Sequence, residues 1–340
     1  MKTAIHAAGV LNVFALTMLV CGQSWGGAAE DDFQKRATAA GVIRAEGLNS
    51  TADGGAYVFP DGNFEKAGSG FDTGIKASGA GSLHFVIPAN GGASAGGSWR
   101  VNFSEARNVT IGAGQDLYVQ WRQRFDSNWL NTKFAGSGGW KQAILGEGDV
   151  PGANLEVGSC SELEVVTQNT VLRGFPQMYH NCGVYQGFEE NYGAFDFKLQ
   201  NAMPSPFCLY HDSTGCFKYY PNEWMTFQVH LKPGPRGTAT STLEKKSVTG
   251  FTNSTVELWV AREGKPSQLV LSWTGVVLHE NSGKSYGKVW LLPYQTGKDA
   301  TVTNPVSNVW YDELIISRNR IADPGVTSVS PNPPQSVKAQ

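Results

Sequence analysis

A two-residue alternation recurs through this chain and limits what it can fold into. Leu83, Phe85 and Ile87 alternate with Ser82, His84 and Val86. Trp99, Val101 and Phe103 alternate with Arg100 and Asn102. Val119, Trp121 and Phe125 interleave with Tyr118, Gln120, Arg122 and Arg124. Phe227, Val229 and Leu231 interleave with Thr226, Gln228 and His230. Such spacing sends successive side chains to opposite faces of a strand. No long helical period follows the N-terminus, and one short helix is expected over 33–42. With 41 glycines to supply turns, the pattern predicts many short strands in an all-β domain. Val256–Val260 and Gln268–Trp273 flank Glu263-Gly-Lys-Pro266, which reads as a hairpin, and Val309–Ser317 is the last clear strand.

The first residues read as an export signal. Lys2 supplies the positive end, Ala7–Val20 the apolar segment, and Gly27-Ala28-Ala29 the small residues of a cleavage site. The apolar run is short for a membrane span. Cleavage after Ala29 leaves Cys160, Cys182, Cys208 and Cys216, an even number suited to disulfides in an exported protein. Short local loops favour Cys160–Cys182 and Cys208–Cys216. One domain is expected over 30–322, followed by a Pro- and Ser-rich tail or linker over 323–340. The net charge of −2 and the lack of a basic stripe argue against a nucleic-acid partner. A monomer, secreted or periplasmic, is expected.

The stretch Tyr286-Gly-Lys288-Val-Trp290-Leu-Leu292-Pro-Tyr294-Gln295 combines phenols, an ammonium and an indole. Read as a strand, it puts Tyr286, Lys288, Trp290, Leu292 and Tyr294 on one face. That composition suits the floor of a groove for an extended polar ligand, although packing under a loop is the plainer use of aromatics.

Three stretches in order, Ser161-Glu162-Leu163, Gln228-Val229-His230 and Tyr286-x-Lys288 running to Tyr294-Gln295, resemble the signatures of the alginate lyases of polysaccharide lyase family 7. The Trp310-Tyr311-Asp312-Glu313-Leu314 ending also looks like that of secreted bacterial concanavalin A-like proteins. The resemblance implies a concanavalin A-like jelly roll of two antiparallel sheets, with a ligand cleft on the concave one. It implies Gln228 as neutraliser of the uronate carboxylate, His230 as base and Tyr294 as acid. The flanking arginines of the first signature are Cys160 and Glu164 here, and the second tyrosine of the last comes two residues late.

The residues alone also fit β-elimination. Removing the proton beside a uronic carboxylate needs a group that neutralises the carboxylate, a base and an acid for the leaving oxygen. Arg122, Arg124 and Gln228 are candidate neutralisers, His230 or His180 candidate bases, and Tyr294 the candidate acid. Tyr286, Lys288, Trp290, Gln120, Glu162 and Glu164 are candidate sugar contacts on the same expected face. The plainer readings are a solvent-facing His230 and cross-strand pairing of Arg122 and Arg124 with Glu162 or Glu164. Two alternatives compete. Glu162-Leu-Glu164-Val-Val resembles part of the Glu-x-Asp-x-x-Glu strand of family 16 glycoside hydrolases, whose two carboxyls work as a pair, but Thr167 stands at the last position. A non-catalytic glycan-binding module would use the same aromatic face. No cofactor is expected; Glu147, Asp149 and Asp299 are the acidic groups available for a structural Ca²⁺.

Overall fold

The computed structural model describes residues 27–50, 58–60, 68–104, 108–148, 163–169, 174–180, 199–204, 208–209, 212–241, 246–279 and 283–325. With strands numbered in chain order, one antiparallel sheet contains β1 (Val42–Glu46), β3 (Gly70–Asp72), β4 (Ser82–Ile87), β6 (Leu117–Phe125), β10 (Trp224–Lys232), β11 (Arg236–Ser241), β12 (Lys246–Ala261), β13 (Gln268–His279) and β16 (Ser307–Ser317). The other contains β2 (Val58–Pro60), β5 (Trp99–Asn102), β7 (Phe134–Glu147), β8 (Glu164–Asn169), β9 (Gln177–His180), β14 (Tyr286–Leu291) and β15 (Gln295–Lys298). The first sheet runs β11-β12-β10-β6-β16-β4-β3, with β1 on β16 and β13 on β12; the second runs β2-β5-β14-β7-β8-β9, with β15 on β7. This is the all-β, two-sheet jelly roll that the alternation and the resemblance anticipate.

The alternating apolar residues fill the space between the sheets. Leu83, Phe85, Val101, Val119, Trp121, Phe125, Val165, Phe227, Val229 and Val289 are all fully buried in one core. Each large side chain withdrawn from water contributes about 1.5–3 kcal/mol. A polar thread crosses this core. Gln142 of β7 donates from Nε2 to Gln123 Oε1 of β6 at 2.9 Å. The Tyr219 hydroxyl donates to Gln142 Oε1 at 2.6 Å, and the Tyr311 hydroxyl to the Gln142 carbonyl at 2.8 Å. Burial pushes both phenols well above their ordinary value, so they remain protonated donors.

Helix α1 spans Ala28–Ala37, earlier than the expected 33–42. It carries Glu30 and Asp31 in its first turn and Lys35 and Arg36 in its last, each favourable with the helix dipole. Phe33 packs on Ile315 and Ile321, and Arg36 binds Gln120 and Glu313 on the outer face of the nine-stranded sheet. The expected hairpin forms, with β12 and β13 antiparallel and Lys265 N donating to Arg262 O at 3.1 Å. Cys208 and Cys216 are disulfide-bonded; Cys21, Cys160, Cys182 and the tail beyond 325 lie outside the described residues. No helix among the described residues is long and apolar enough to cross a membrane.

Candidate active site

The outer face of the seven-stranded sheet gathers an unusual set of side chains. β7 bulges between Lys141 and Ala143 where it pairs with β8. Gln142 and Ala143 therefore both turn towards the core, and Lys141 stands outside. Its Nζ lies 5.6 Å from the Tyr179 ring centroid and 5.6 Å from that of Tyr294. Tyr179 belongs to β9 and sits opposite Val166. Tyr294 lies in the link from β14 to β15, fixed by Lys141 N donating to its carbonyl at 2.8 Å. Ile144, Val166 and Leu292 form an apolar floor, with Tyr179, Trp290 and Tyr294 packed on it.

The next outer positions add charge. Arg100 of β5 is opposite Trp290 and holds its guanidinium 5.4 Å from the indole. Lys288 is opposite Asn102 on one side and Gly146 on the other, and Gly146 is opposite Glu164. A Cβ at Gly146 would lie 3.9 Å from Lys288 Cε, an ordinary contact, so the lysine stem runs over Gly146. Among the described outer positions of β5, β14, β7 and β8, three cations face one carboxylate, Glu164. Burial pushes the Lys141 ammonium below the ordinary lysine value, and Glu164 partly opposes that. The face thus gathers a cation shedding its proton more readily than a free lysine, two tyrosine rings flanking it, and two further cations, Arg100 and Lys288.

The residues singled out from sequence do not all meet here. Lys288, Trp290, Tyr294 and Glu164 do. Tyr286 does not: the β14–β7 register shifts between Tyr286 and Lys288, and the bulge at Gly287 turns the Tyr286 ring into the core, where it is fully buried. His180 is opposite Val165, a core residue, so its ring lies on the inner side of β9 and its neighbour Tyr179 takes the outer side. Glu162 and Asp149 lie outside the described residues.

Gln120, Arg122, Arg124, Gln228 and His230 belong to β6 and β10 of the other sheet, so the single face expected for them and Tyr294 is corrected to two faces on opposite sides of the molecule. Alternation assigns a side chain to a face but not a strand to a sheet. On the far face these groups hold the chain together. His230 bonds Glu257 through Nδ1 and Asp116 through Nε2, each at 2.9 Å, and stacks on Tyr118. Gln228 exchanges hydrogen bonds with the Ile321 backbone. Arg122 reaches Glu263 at 3.3 Å and Glu313 at 3.5 Å. Arg124 is opposite Trp224 and Trp310. The acidic groups considered for calcium are also dispersed: Glu147 accepts from Lys284 Nζ at 2.7 Å, and Asp299 accepts from Thr301.

Three residues of the site carry no lyase signature in the sequence. Arg100 was visible as the polar half of an alternating strand, and Tyr179 as an aromatic beside His180. Lys141 is set outward by a bulge, which a regular alternation through Trp140–Leu145 does not reveal.

No protein-family model and no curated protein matches the chain. Solved structures do. A marine alginate lyase of polysaccharide lyase family 14 from Aplysia kurodai superposes with a TM-score of 0.52 at 12% identity, covering 81% of this chain and 98% of its own. An endo-β-1,4-glucuronan lyase from Trichoderma reesei gives 0.46 at 11% identity, covering 81% and 95%. An alginate lyase from a Chlorella virus gives 0.43 at 12% identity, covering 82% and 100%. At such identity the likeness to the Aplysia structure concerns the fold.

Proposed function

We propose that the protein is an exported polysaccharide lyase that cleaves a uronate-containing glycan by β-elimination on the outer face of the seven-stranded sheet. The observation that carries the proposal is the placing of Lys141 between Tyr179 and Tyr294, beside Arg100 and Lys288. The jelly-roll fold, shared with the Aplysia alginate lyase, supports it.

In this reading Trp290 and the apolar floor carry the sugar ring, and Arg100 and Lys288 hold its carboxylate. Their charge tolerates the enolate-like density that grows as the adjacent carbon loses its proton. Neutral Lys141, favoured by its burial, takes that proton. The electron pair forms the carbon–carbon double bond, the C4–O bond breaks, and the Tyr294 hydroxyl donates its proton to the departing oxygen. Proton return from the Lys141 ammonium to the Tyr294 phenolate restores both groups. Tyr179 flanks the ammonium from the other side.

The test is incubation with alginate, glucuronan and pectate while following the ultraviolet absorbance of the unsaturated product. A rise is expected with at least one uronan. Lys141→Met should lower turnover by about 10²-fold or more, the scale of a lost general base, with unfolding temperature unchanged. Tyr294→Phe should abolish turnover and spare binding. Reducing ends without unsaturated product would replace the lyase with a hydrolase; binding without turnover would leave a glycan-binding module.

A further inference from the structure

We infer that the cleft continues past Tyr294 into a second anion site around Lys298, which takes the carboxylate of a sugar unit remote from the reacting bond. The inference rests on the uronan reading above. A cavity of about 600 Å³ lies between the Asn90–Ala93 loop and residues 295–304. It is walled by small and uncharged polar residues, with Lys298 its one cation and Asp299 its one carboxylate. Lys298 Nζ donates to the Gly91 carbonyl at 2.7 Å and enters no ion pair among the described residues. Asp299 is engaged within the wall rather than with Lys298: its Oδ1 accepts from Thr301 N at 2.9 Å and from Thr301 Oγ1 at 2.6 Å.

A half-desolvated ammonium that meets only a carbonyl retains an uncompensated cost. Burial is the sole cause that depresses its pKa, with no acidic neighbour to restore it. A ligand carboxylate would supply the missing charge-assisted bond. A neutral sugar would not, and this sets the ligand class.

The backbone links the two sites. Gln295 N donates to Ala93 O at 3.0 Å, which ties the cavity loop to the strand that leaves Tyr294. Gln295 is opposite core Trp140, so Thr296, opposite Gly139, continues the outer side. The register then shifts before Lys298, where Gly297 has φ +61°. A Cβ at Gly297 would lie 2.7 Å from Gly138 Cα, so glycine is required for this turn towards the loop. Four residues at strand rise allow at most roughly 13 Å between Tyr294 and Lys298, so Lys298 is placed to meet a unit other than the reacting one.

The test uses the full chain carrying Lys298→Gln, with Lys298→Arg as rescue and Lys265→Gln, on the β12–β13 turn of the other sheet, as charge control. On the uronan that the wild type cleaves, Lys298→Gln should raise KM about tenfold, one charge-assisted bond, with kcat unchanged. The shortest cleaved oligouronates should show no change, and Lys298→Arg should restore the polymer KM. An unchanged polymer KM, or an equal rise for short and long substrates, overturns the inference. If the wild type cleaves no uronan, the enzymatic reading fails on its own and the cavity is judged by titration with an oligouronate. Binding weakened by Lys298→Gln and not by Lys265→Gln then supports the site, and equal binding overturns it.

Discussion

Replacing Gln142 with leucine tests whether the polar thread between the sheets holds the β7 bulge. The substitution removes the bond from Nε2 to Gln123 and the one from the Tyr219 hydroxyl. Neither former partner is stranded. Gln123 Oε1 keeps Trp121 Nε1 at 3.1 Å, and the Tyr219 hydroxyl has the Gln168 carbonyl at 3.2 Å. The loss is therefore that of two net hydrogen bonds, roughly 1–3 kcal/mol in total, rather than the larger penalty of buried unpaired groups. For a domain of this size that lowers Tm by roughly 2–5 °C, read by thermal and urea unfolding. Tyr219→Phe leaves Gln142 Oε1 buried without that donor and costs roughly 1–3 kcal/mol. Because the two residues share one bond, the double variant should fall short of the sum by about 0.5 kcal/mol or more. Turnover should drop in Gln142→Leu although Lys141 is intact, since a small displacement of a reacting group costs much rate. A Tm within a degree or so of wild type, or additive single effects, would refute the argument that this network sets the bulge.

Two further outcomes follow from buried groups away from the site. Burial and the neighbouring Glu313 push the Asp312 carboxyl from 3.8 up to about 8. Between those values the unfolded chain ionises and the folded one stays protonated, so this group makes stability fall as pH rises, by at most about 1.4 kcal/mol per unit. Asp312→Asn should flatten that slope in urea midpoints measured across pH 5 to 7.5, whatever its constant offset; an unchanged slope counts against it. Reducing Cys208–Cys216, which closes a loop over a separation of 8 residues, should cost about 2–3 kcal/mol on the loop-entropy account. An unfolding temperature indifferent to reductant would show that the Phe175, Leu199 cluster around it holds the segment unaided.

Face assignment was largely legible from the chain itself. The core halves of β4, β6 and β10 are the apolar halves of their alternations, because a half-buried strand must segregate its side chains with period two. Leu163 and Val165 took the core side for the same reason. Sheet membership was not legible, since pairing of β6 with β10 and β16 depends on contacts between segments about a hundred or more residues apart. That is why Gln228 and His230 read as partners of Tyr294 and lie on the opposite face. The two bulges were equally silent: each moves one side chain across the sheet, turning Tyr286 into the core and Lys141 to the outer face, and each is fixed by partners distant in sequence.

The place of β16 has a consequence for how the molecule is assembled. This strand, Ser307–Ser317, is the last among the described residues and yet lies inside its sheet, hydrogen-bonded to β6 on one side and to β4 and β1 on the other. Until it arrives, β4 and β6 present unsatisfied edges and their apolar faces have no continuous layer to close against. A chain emerging from the ribosome cannot complete the sheet step by step. Folding of this sheet waits for β16, its rate is limited by closure of the long loops from β1, β4 and β6 to β16, and a chain that still lacks β16 is exposed to aggregation.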